Sequence, residues 1–290
     1  MAETCPFCLQ PDTKIYLTAK EGILRKCRRC HCVFNPQRAN EFDADSEELN
    51  TGYNALIEKM AGLDAQIGKK IANFMAAHLE MSGNFLEIGC GTCFLSKVFR
   101  ENYPRIRYTG IESSSKFFDA LSHELKKQVF FDKDLSAALD RIPDHSQNAI
   151  ILNHVLEHLP DPRATMLELK KKLSENGGIY LEVPNEQWKK AQIMVRNILK
   201  PNAPAWFAGH INFFTKENLG HFLDHCGFRV AALKRESIAD NQATFIKMLG
   251  GEEVYRDNRL AQFAYHLLRL TAFEKLIRYG IVLRCICKKN

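Results

Sequence analysis

The sequence predicts an α/β protein: a doubly wound, mostly parallel sheet with helices on its faces, a small N-terminal zinc ribbon or knuckle, and a helical C-terminal extension. Three observations carry this reading. From residue 82 onward, short apolar runs alternate with helical stretches at the spacing of right-handed βαβ units. The first of those runs ends in a glycine loop, Gly89-Cys90-Gly91, that opens directly into a helical pattern. Of the ten cysteines, Cys5, Cys8, Cys27, Cys30 and Cys32 crowd into the first 32 residues.

Composition bounds the problem without solving it. With 46% hydrophobic and 26% charged residues, and only 16 Gly and 10 Pro among 290 residues, disorder and collagen-like structure are excluded. No apolar run reaches the ~18 residues of a membrane-spanning helix. The opening Met1-Ala2-Glu3-Thr4-Cys5-Pro6 has no basic start and no apolar stretch. The sequence therefore predicts no secretory signal, and a cytoplasmic location. Lys plus Arg 40 against Asp plus Glu 34 leaves +6, which permits an anionic partner without demanding one.

Residues 1–40 form the ribbon. Cys5-x2-Cys8 and Cys27-x2-Cys30, eighteen residues apart, can each turn two thiolates toward one ion, and four soft thiolates in a tetrahedron suit a structural zinc. So short a segment depends on the metal for its fold. Arg25, Lys26, Arg28 and Arg29 surround the second pair and would serve nucleic-acid contact. The few aromatic faces nearby, Phe7, Tyr16 and Phe34, make a solvated, docked module the better reading.

Residues 41–81 place Leu56, Ile57, Met60, Leu63, Ile67, Ile71, Phe74, Met75 and Leu79 at helical spacing, which predicts one or two amphipathic covering helices, with Tyr53 the one polar aromatic that could face a site. Residues 82–240 carry the main domain. Strands are expected at 85–88, 108–111, 129–131, 149–152 and 179–183, helices at 94–101, 116–126 and 164–174, and a last helix and strand at 216–226 and 228–233. An insertion at 186–209 contains both tryptophans, Trp188 and Trp206, and would roof an acceptor. Residues 241–290 read as an amphipathic basic extension suited to packing on the body or to peripheral membrane contact. Cys285 and Cys287, within it, have no assigned role.

The glycine loop decides the ligand class. A dinucleotide fingerprint would need a third glycine where Phe94 stands, and no Gly-Lys-Ser/Thr follows for a P-loop. What remains is acid-x-Gly-x-Gly, with Glu87 on the strand and Gly89 and Gly91 in the loop. A ligand bearing an ammonium group and no phosphate explains an acid there. S-adenosylmethionine is such a ligand, and Glu112, at the end of the next strand, supplies the carboxylate its ribose hydroxyls need.

Across residues 82–235 the chain resembles the class I S-adenosylmethionine-dependent methyltransferases. Leu86-Glu87-Ile88-Gly89-Cys90-Gly91-Thr92 is similar to the family's first motif, and the segment from Asn153-His154-Val155-Leu156-Glu157-His158 to Pro162 is similar to the region after its fourth strand. Gly177-Gly178-Ile179-Tyr180-Leu181-Glu182-Val183-Pro184-Asn185 resembles its fifth strand. The cysteine pairs ahead of it resemble a subgroup with an N-terminal zinc-binding segment, associated with sugars, glycans and other small metabolites. Two positions depart from the pattern: Cys93 replaces the third loop glycine, and Asn148 replaces the aspartate before the fourth strand. The resemblance implies Asp132 or Asp134 at the adenine amino group and Asn153 at the methionine end.

His154, Glu157 and His158 spell H-x-x-E-H, but the motif abuts a strand and ends in Pro160 and Pro162, which excludes the long helix a zinc peptidase requires. In methyl transfer the chain has to align the reactants and take a proton, and histidine titrates in the right range. The resemblance therefore implies His154 as a catalytic candidate bordering the cofactor's methionine end beside Asn153, and Glu157 and His158 near the acceptor, with His210 in Gly209-His210-Ile211-Asn212 a second candidate base. The expected activity is in-line methyl transfer to a small-molecule, sugar or lipid-linked glycan acceptor. The alternatives are an RNA methyltransferase that grips nucleic acid with its ribbon, and a noncatalytic binding module of the same fold.

Overall fold

The computed structural model describes residues 4–19, 22–37, 64–186, 209–236, 259, 262–263 and 282–290. In chain order its elements are strands β1 (Thr13–Ala19), β2 (Gly22–Cys27) and β3 (Val33–Phe34), then helix α1 (Asp64–Ala76). There follow β4 (Gly83–Ile88), α2 (Phe94–Asn102), β5 (Ile106–Glu112), α3 (Ser115–Ala120), α4 (His123–Lys126) and β6 (Val129–Phe131). Next come α5 (Leu135–Asp140), β7 (Gln147–Asn153), a 3-10 turn (Leu156–His158), α6 (Pro162–Lys172) and β8 (Leu173–Pro184). The chain closes with β9 (Asn212–Phe213), α7 (Lys216–His225), β10 (Phe228–Glu236) and β11 (Val282–Lys289).

The central sheet has the order β10-β11-β8-β7-β4-β5-β6. From β8 to β6 every pairing is parallel, while β11 runs antiparallel to both β8 and β10. The chain builds outward from β4 through β5 to β6, then returns to the other side of β4 with β7. The strand order thus reverses between β4 and β7, opening a crevice at the carboxyl ends of these strands. Their runs are apolar throughout because both faces are covered. Leu86, Ile88, Ile150 and Leu152 pack with α6 and α7 on one face, and Phe85, Ala149 and Ile151 pack with α1 and α2 on the other.

Two expectations need correction. The helix expected at 116–126 is broken into α3 and α4, because Ser122 caps α4 and Leu121 turns inward to pack with Cys90, Cys93 and Val129. The end of the expected C-terminal extension is the strand β11, inserted between the edge strand β10 and β8. Leu283, Cys285, Ile286 and Cys287 are fully buried there, so the two cysteines are core residues and the α/β domain extends beyond residue 240 to include 282–289. The amphipathic stretch at 241–281, the Trp188 and Trp206 insertion and the covering segment with Tyr53 lie outside the described residues, apart from 259 and 262–263.

The ribbon is joined to this domain by β3, which pairs with β9 through Val33 to Phe213 and Phe34 to Asn212. Phe7 packs edge-on against Phe214 and Phe222, with ring centroids 5.7 and 5.2 Å away. Residue 40 is thus no boundary in packing, since cysteines of the ribbon and apolar residues of α7 share one core. No helix among the described residues is long and apolar enough to cross a membrane.

Within β11 the buried Arg284 lies between Glu182 of β8 and Glu236 of β10, and its Nε donates to Glu182 Oε2 at 2.5 Å. Removing one partner of such a cluster leaves the others charged and buried. Arg284→Met is expected to lower the unfolding free energy by about 3–5 kcal/mol, measured by urea denaturation, with Arg284→Lys falling between it and the native protein.

Candidate active site

The glycine loop turns on three left-handed residues, Gly89 at φ 63°, Gly91 at φ 52° and Cys93 at φ 55°. Glycine is required at the first, because a Cβ there would lie 2.7 Å from the side chain of Val155. At Gly91 a Cβ would meet nothing within 4 Å, so the loop faces open space at that point. The N–H groups of Gly89 and Cys90 both donate to the carbonyl of Ile111, at 2.8 and 3.1 Å. Gly91 N–H donates to Glu112 Oε2 at 2.7 Å, while Ser113 and Ser114 N–H donate to its Oε1 at 2.9 and 2.8 Å. Glu112 thereby ties the loop after β4 to the tip of β5.

Glu87 is buried beneath this loop, with Oε2 accepting from the Tyr108 hydroxyl at 2.5 Å. Burial holds its carboxyl well above the usual carboxylate range, against the opposing hydrogen bond of Tyr108. Asp132 stands beside Glu112, to whose carbonyl its N–H donates at 3.1 Å, and its carboxylate accepts from Arg141 at 3.1 Å. Asp134 caps α5 by accepting from Ser136 N–H at 2.9 Å. Of these two acids, only Asp132 lies next to the strand tip that carries Glu112. Asn153 ends β7 across the crevice, and its Oδ1 is buried without a hydrogen-bond partner.

Beyond β7 the chain enters a left-handed residue, His154 at φ 56°, and the 3-10 turn. His154 Nδ1 donates to Glu157 Oε1 at 3.2 Å, and its Nε2 lies 3.4 Å from Glu182 Oε1. Burial works against charge on His154, but the two carboxylates outweigh it and lift its pKa to about 9. Glu157 is held below the usual carboxylate range, because His154 and His158 overcome its burial. Burial lowers His158, with Glu157 opposing only in part. His158 Nδ1 donates to the carbonyl of Gly209 at 3.2 Å, and its ring meets that of His210 edge-on at 5.1 Å. His210 Nδ1 donates to Glu186 Oε1 at 2.8 Å. The structure therefore brings Glu157, His158 and His210 together and turns His154 toward Glu182.

Reading the sequence alone misses Glu182 and Glu186. Glu182 carries a signal, an acid inside the apolar run of β8, whereas Glu186 stands at the start of the insertion with nothing local to mark it.

In the ribbon, the Sγ atoms of Cys5 and Cys30 are 3.5 Å apart and those of Cys8 and Cys27 are 3.6 Å apart, all four within 4.8 Å of one another. Zinc–sulfur bonds of about 2.3 Å in a tetrahedron put sulfurs about 3.8 Å apart, so the set fits that ion. The residue after each pair, Leu9 at φ 59° and His31 at φ 61°, takes the left-handed turn that closes its knuckle.

The raised pKa of His154 is also a statement about stability. Its ordinary value is about 6.5, so the stabilisation it supplies is complete below that pH and is lost as pH rises through about 9. At about 1.4 kcal/mol per pH unit, the loss amounts to a few kcal/mol. His154→Asn, which keeps a residue tolerant of the left-handed backbone, is expected to be less stable at pH 6.5 and to show no such decline. Urea midpoints at pH 6.5, 7.5 and 9 check this.

The family described as a methyltransferase domain matches residues 59–233. Among curated relatives, an uncharacterised methyltransferase of Schizosaccharomyces pombe is 27% identical over 116 residues, covering 37% of this chain and 41% of its own length. Trans-aconitate 2-methyltransferase of Escherichia coli O1:K1 / APEC is 24% identical over 112 residues, covering 39% and 43%. The chain spans about half the length of the curated relatives it matches. The solved structure of the plantazolicin methyltransferase BamL, in complex with a triazolic desmethylPZN analog and SAH, superposes with a TM-score of 0.56 at 15% identity, covering 88% of this chain and 95% of that one, a likeness of fold alone. Because the family match extends over more than half of the 290 residues, the chain belongs to the methyltransferase domain family.

Proposed function

We propose that this chain is an S-adenosylmethionine-dependent methyltransferase acting on a small-molecule acceptor, with sugars and glycans the favoured class. The observation that carries the reading is Glu112. Its carboxylate gathers three backbone N–H groups at the strand tip beside a glycine loop open to space at Gly91. The buried, unpartnered Oδ1 of Asn153 across the crevice fits a ligand that donates hydrogen bonds. When bound, S-adenosylmethionine supplies a methyl carbon activated by its sulfonium.

The chain's own residues then have separable tasks. Glu112 accepts from the ribose hydroxyls, Asp132 from the adenine amino group, and Asn153 from the methionine end. Gly89 and Gly91 let the backbone come close, and Glu87 under the loop supports it from below through Tyr108. His154, protonated up to about pH 9, is a fixed cation that orients Glu157 and is not the base. On the acceptor side, the Nδ1 atoms of His158 and His210 donate to Gly209 and Glu186, which leaves Nε2 as the ring nitrogen that can receive the acceptor's proton. The four cysteines form a closed set, suited to a structural zinc with no position left for chemistry. The names of the relatives, for trans-aconitate and plantazolicin, support a free acceptor over nucleic acid.

Calorimetric titration with S-adenosylhomocysteine tests the reading. Native protein is expected to bind one equivalent, and Glu112→Ala to weaken binding at least tenfold, about 1.4 kcal/mol. A folded native protein that binds none sinks the proposal. Zinc analysis of the same sample is expected to return one ion lost in Cys27→Ser, with weakened packing of the ribbon read as a lower Tm.

A further inference from the structure

We propose that Cys90 and Cys93 are a site of oxidative modification: a peroxide joins them in a reversible disulfide, and that bond loosens the glycine loop's hold on the cofactor. Their Sγ atoms are 3.4 Å apart. Cys93 N–H donates to the Cys90 carbonyl at 2.8 Å, which closes a four-residue turn. Such a turn keeps its end Cα atoms within ~7 Å, a span that a disulfide bridges. Among the described residues no histidine or acid joins the pair in a metal-binding group, so the chemistry open to the two thiols is with each other. Cys-x-x-Cys at the start of a helix is also a setting in which a thiol becomes reactive. Cys93 is the N-cap of α2 and takes a left-handed backbone at φ 55°. Its contact with Cys90 holds its thiol below the usual range, against its burial. The same contact, with burial, pushes Cys90 up, so Cys93 ionises first.

Both cysteines are buried, but Gly91 and Thr92 between them are half-buried, and Gly91 faces open space. Hydrogen peroxide is small enough to reach them from that side. The Cys93 thiolate attacks one peroxide oxygen; the O–O bond breaks, Cys93 becomes a sulfenic acid, and the other oxygen leaves as hydroxide, which takes up the thiol's lost proton as water. The Cys90 thiol then displaces the sulfenic hydroxyl, forming the S–S bond and a second water. Two thiols lose two electrons, one peroxide becomes two waters, and an added dithiol reverses the bond by exchange. Closure brings the sulfurs from 3.4 Å to about 2 Å. Cys90 has little room to swing, because a Cβ on Gly110 would lie 2.7 Å from its Sγ, and both cysteines pack with Leu121 and Val129. The link Gly91-Thr92 therefore takes up the change, and it carries the N–H that donates to Glu112 at 2.7 Å. Oxidation thus disturbs the loop at the strand tip assigned to the ribose, and by linkage a bound cofactor opposes oxidation by the same factor. The disulfide stands on the geometry alone; its effect on the cofactor rests on the methyl-transfer reading.

The test treats the full, zinc-loaded chain with hydrogen peroxide and then alkylates it. Mass spectrometry is expected to find the peptide holding Cys90 and Cys93 unalkylated and lighter by two hydrogens, reverting with dithiothreitol. Titration of the oxidised protein with S-adenosylhomocysteine is expected to be at least fivefold weaker and restored on reduction, with the zinc content unchanged. In Cys90→Ala and Cys93→Gly, each compared with its own untreated sample, peroxide is expected to leave the affinity where it was. No disulfide in folded native protein, an affinity loss of the same size in both variants, or a disulfide that leaves the affinity unchanged overturns the proposal. Reduced native protein that forms the disulfide on oxidation but never binds S-adenosylhomocysteine removes the methyltransferase reading and keeps the modification site.

Discussion

Glu182 lies near the carboxyl end of β8 with apolar neighbours on either side, and it stays ionised because His154 and Arg284 flank it. Burial alone would push its carboxyl upward, but the two cations hold it down at about 2. Tyr180 adds a hydroxyl to the same carboxylate. The arrangement extends in both directions as alternating charge: Lys70 of α1, Glu236 of β10, Arg284 of β11, Glu182, His154 and Glu157. Apart from the part-exposed Lys70 at the outer end, each member is tolerable in the interior only because its neighbours are present. This chain of charge ties the edge of the sheet to the candidate site, where His154 occupies a left-handed backbone position.

Topology supplies the other half of the site. The reversal of strand order between β4 and β7 places the carboxyl ends of both strands at one crevice. The glycine loop, Glu112 and Asn153 meet there although they come from three separate strands. Glu112 joins two of them directly by accepting from Gly91 across from β5. The crevice is therefore formed by backbone hydrogen bonds and one carboxylate, and the histidine-bearing side chains lie beyond it, on the turn after β7 and the segment around His210.

Much of this was legible in the sequence, for identifiable reasons. β4, β7 and β8 are covered on both faces, so their apolar runs are continuous and unmistakable, and the acid-x-Gly-x-Gly loop has to follow the first of them. The H-x-x-E-H segment was visible, but the separation of its roles was not, because His154 is defined by Glu182 and Arg284 far along the chain. β11 misled for a related reason. Arg284 and the terminal lysines, set among apolar residues, read as one side of an amphipathic helix until the partners β8 and β10 and the two acids that receive Arg284 are known. The break between α3 and α4 turned on Ser122, whose capping role competes with helix continuity without any change in hydrophobic pattern.

The ribbon and the histidine cluster are joined more closely than their separation in sequence suggests. The segment that delivers His210 continues through Ile211, which accepts from Asn35 of the ribbon at 2.8 Å, into β9, whose pairing partner is β3. Cys32, beside the second cysteine pair, contacts the carbonyl of Asn218 at the start of α7. The position of His210 relative to Glu157 and His158 thus depends on a strand pairing that the small cysteine-held sheet completes. The glycine loop, on the far side of β7, has no such dependence: its contacts run to β5 and Val155. Loss of the cysteine cluster would therefore act on the acceptor side of the crevice first, and leave the geometry around Glu112 to the central sheet alone.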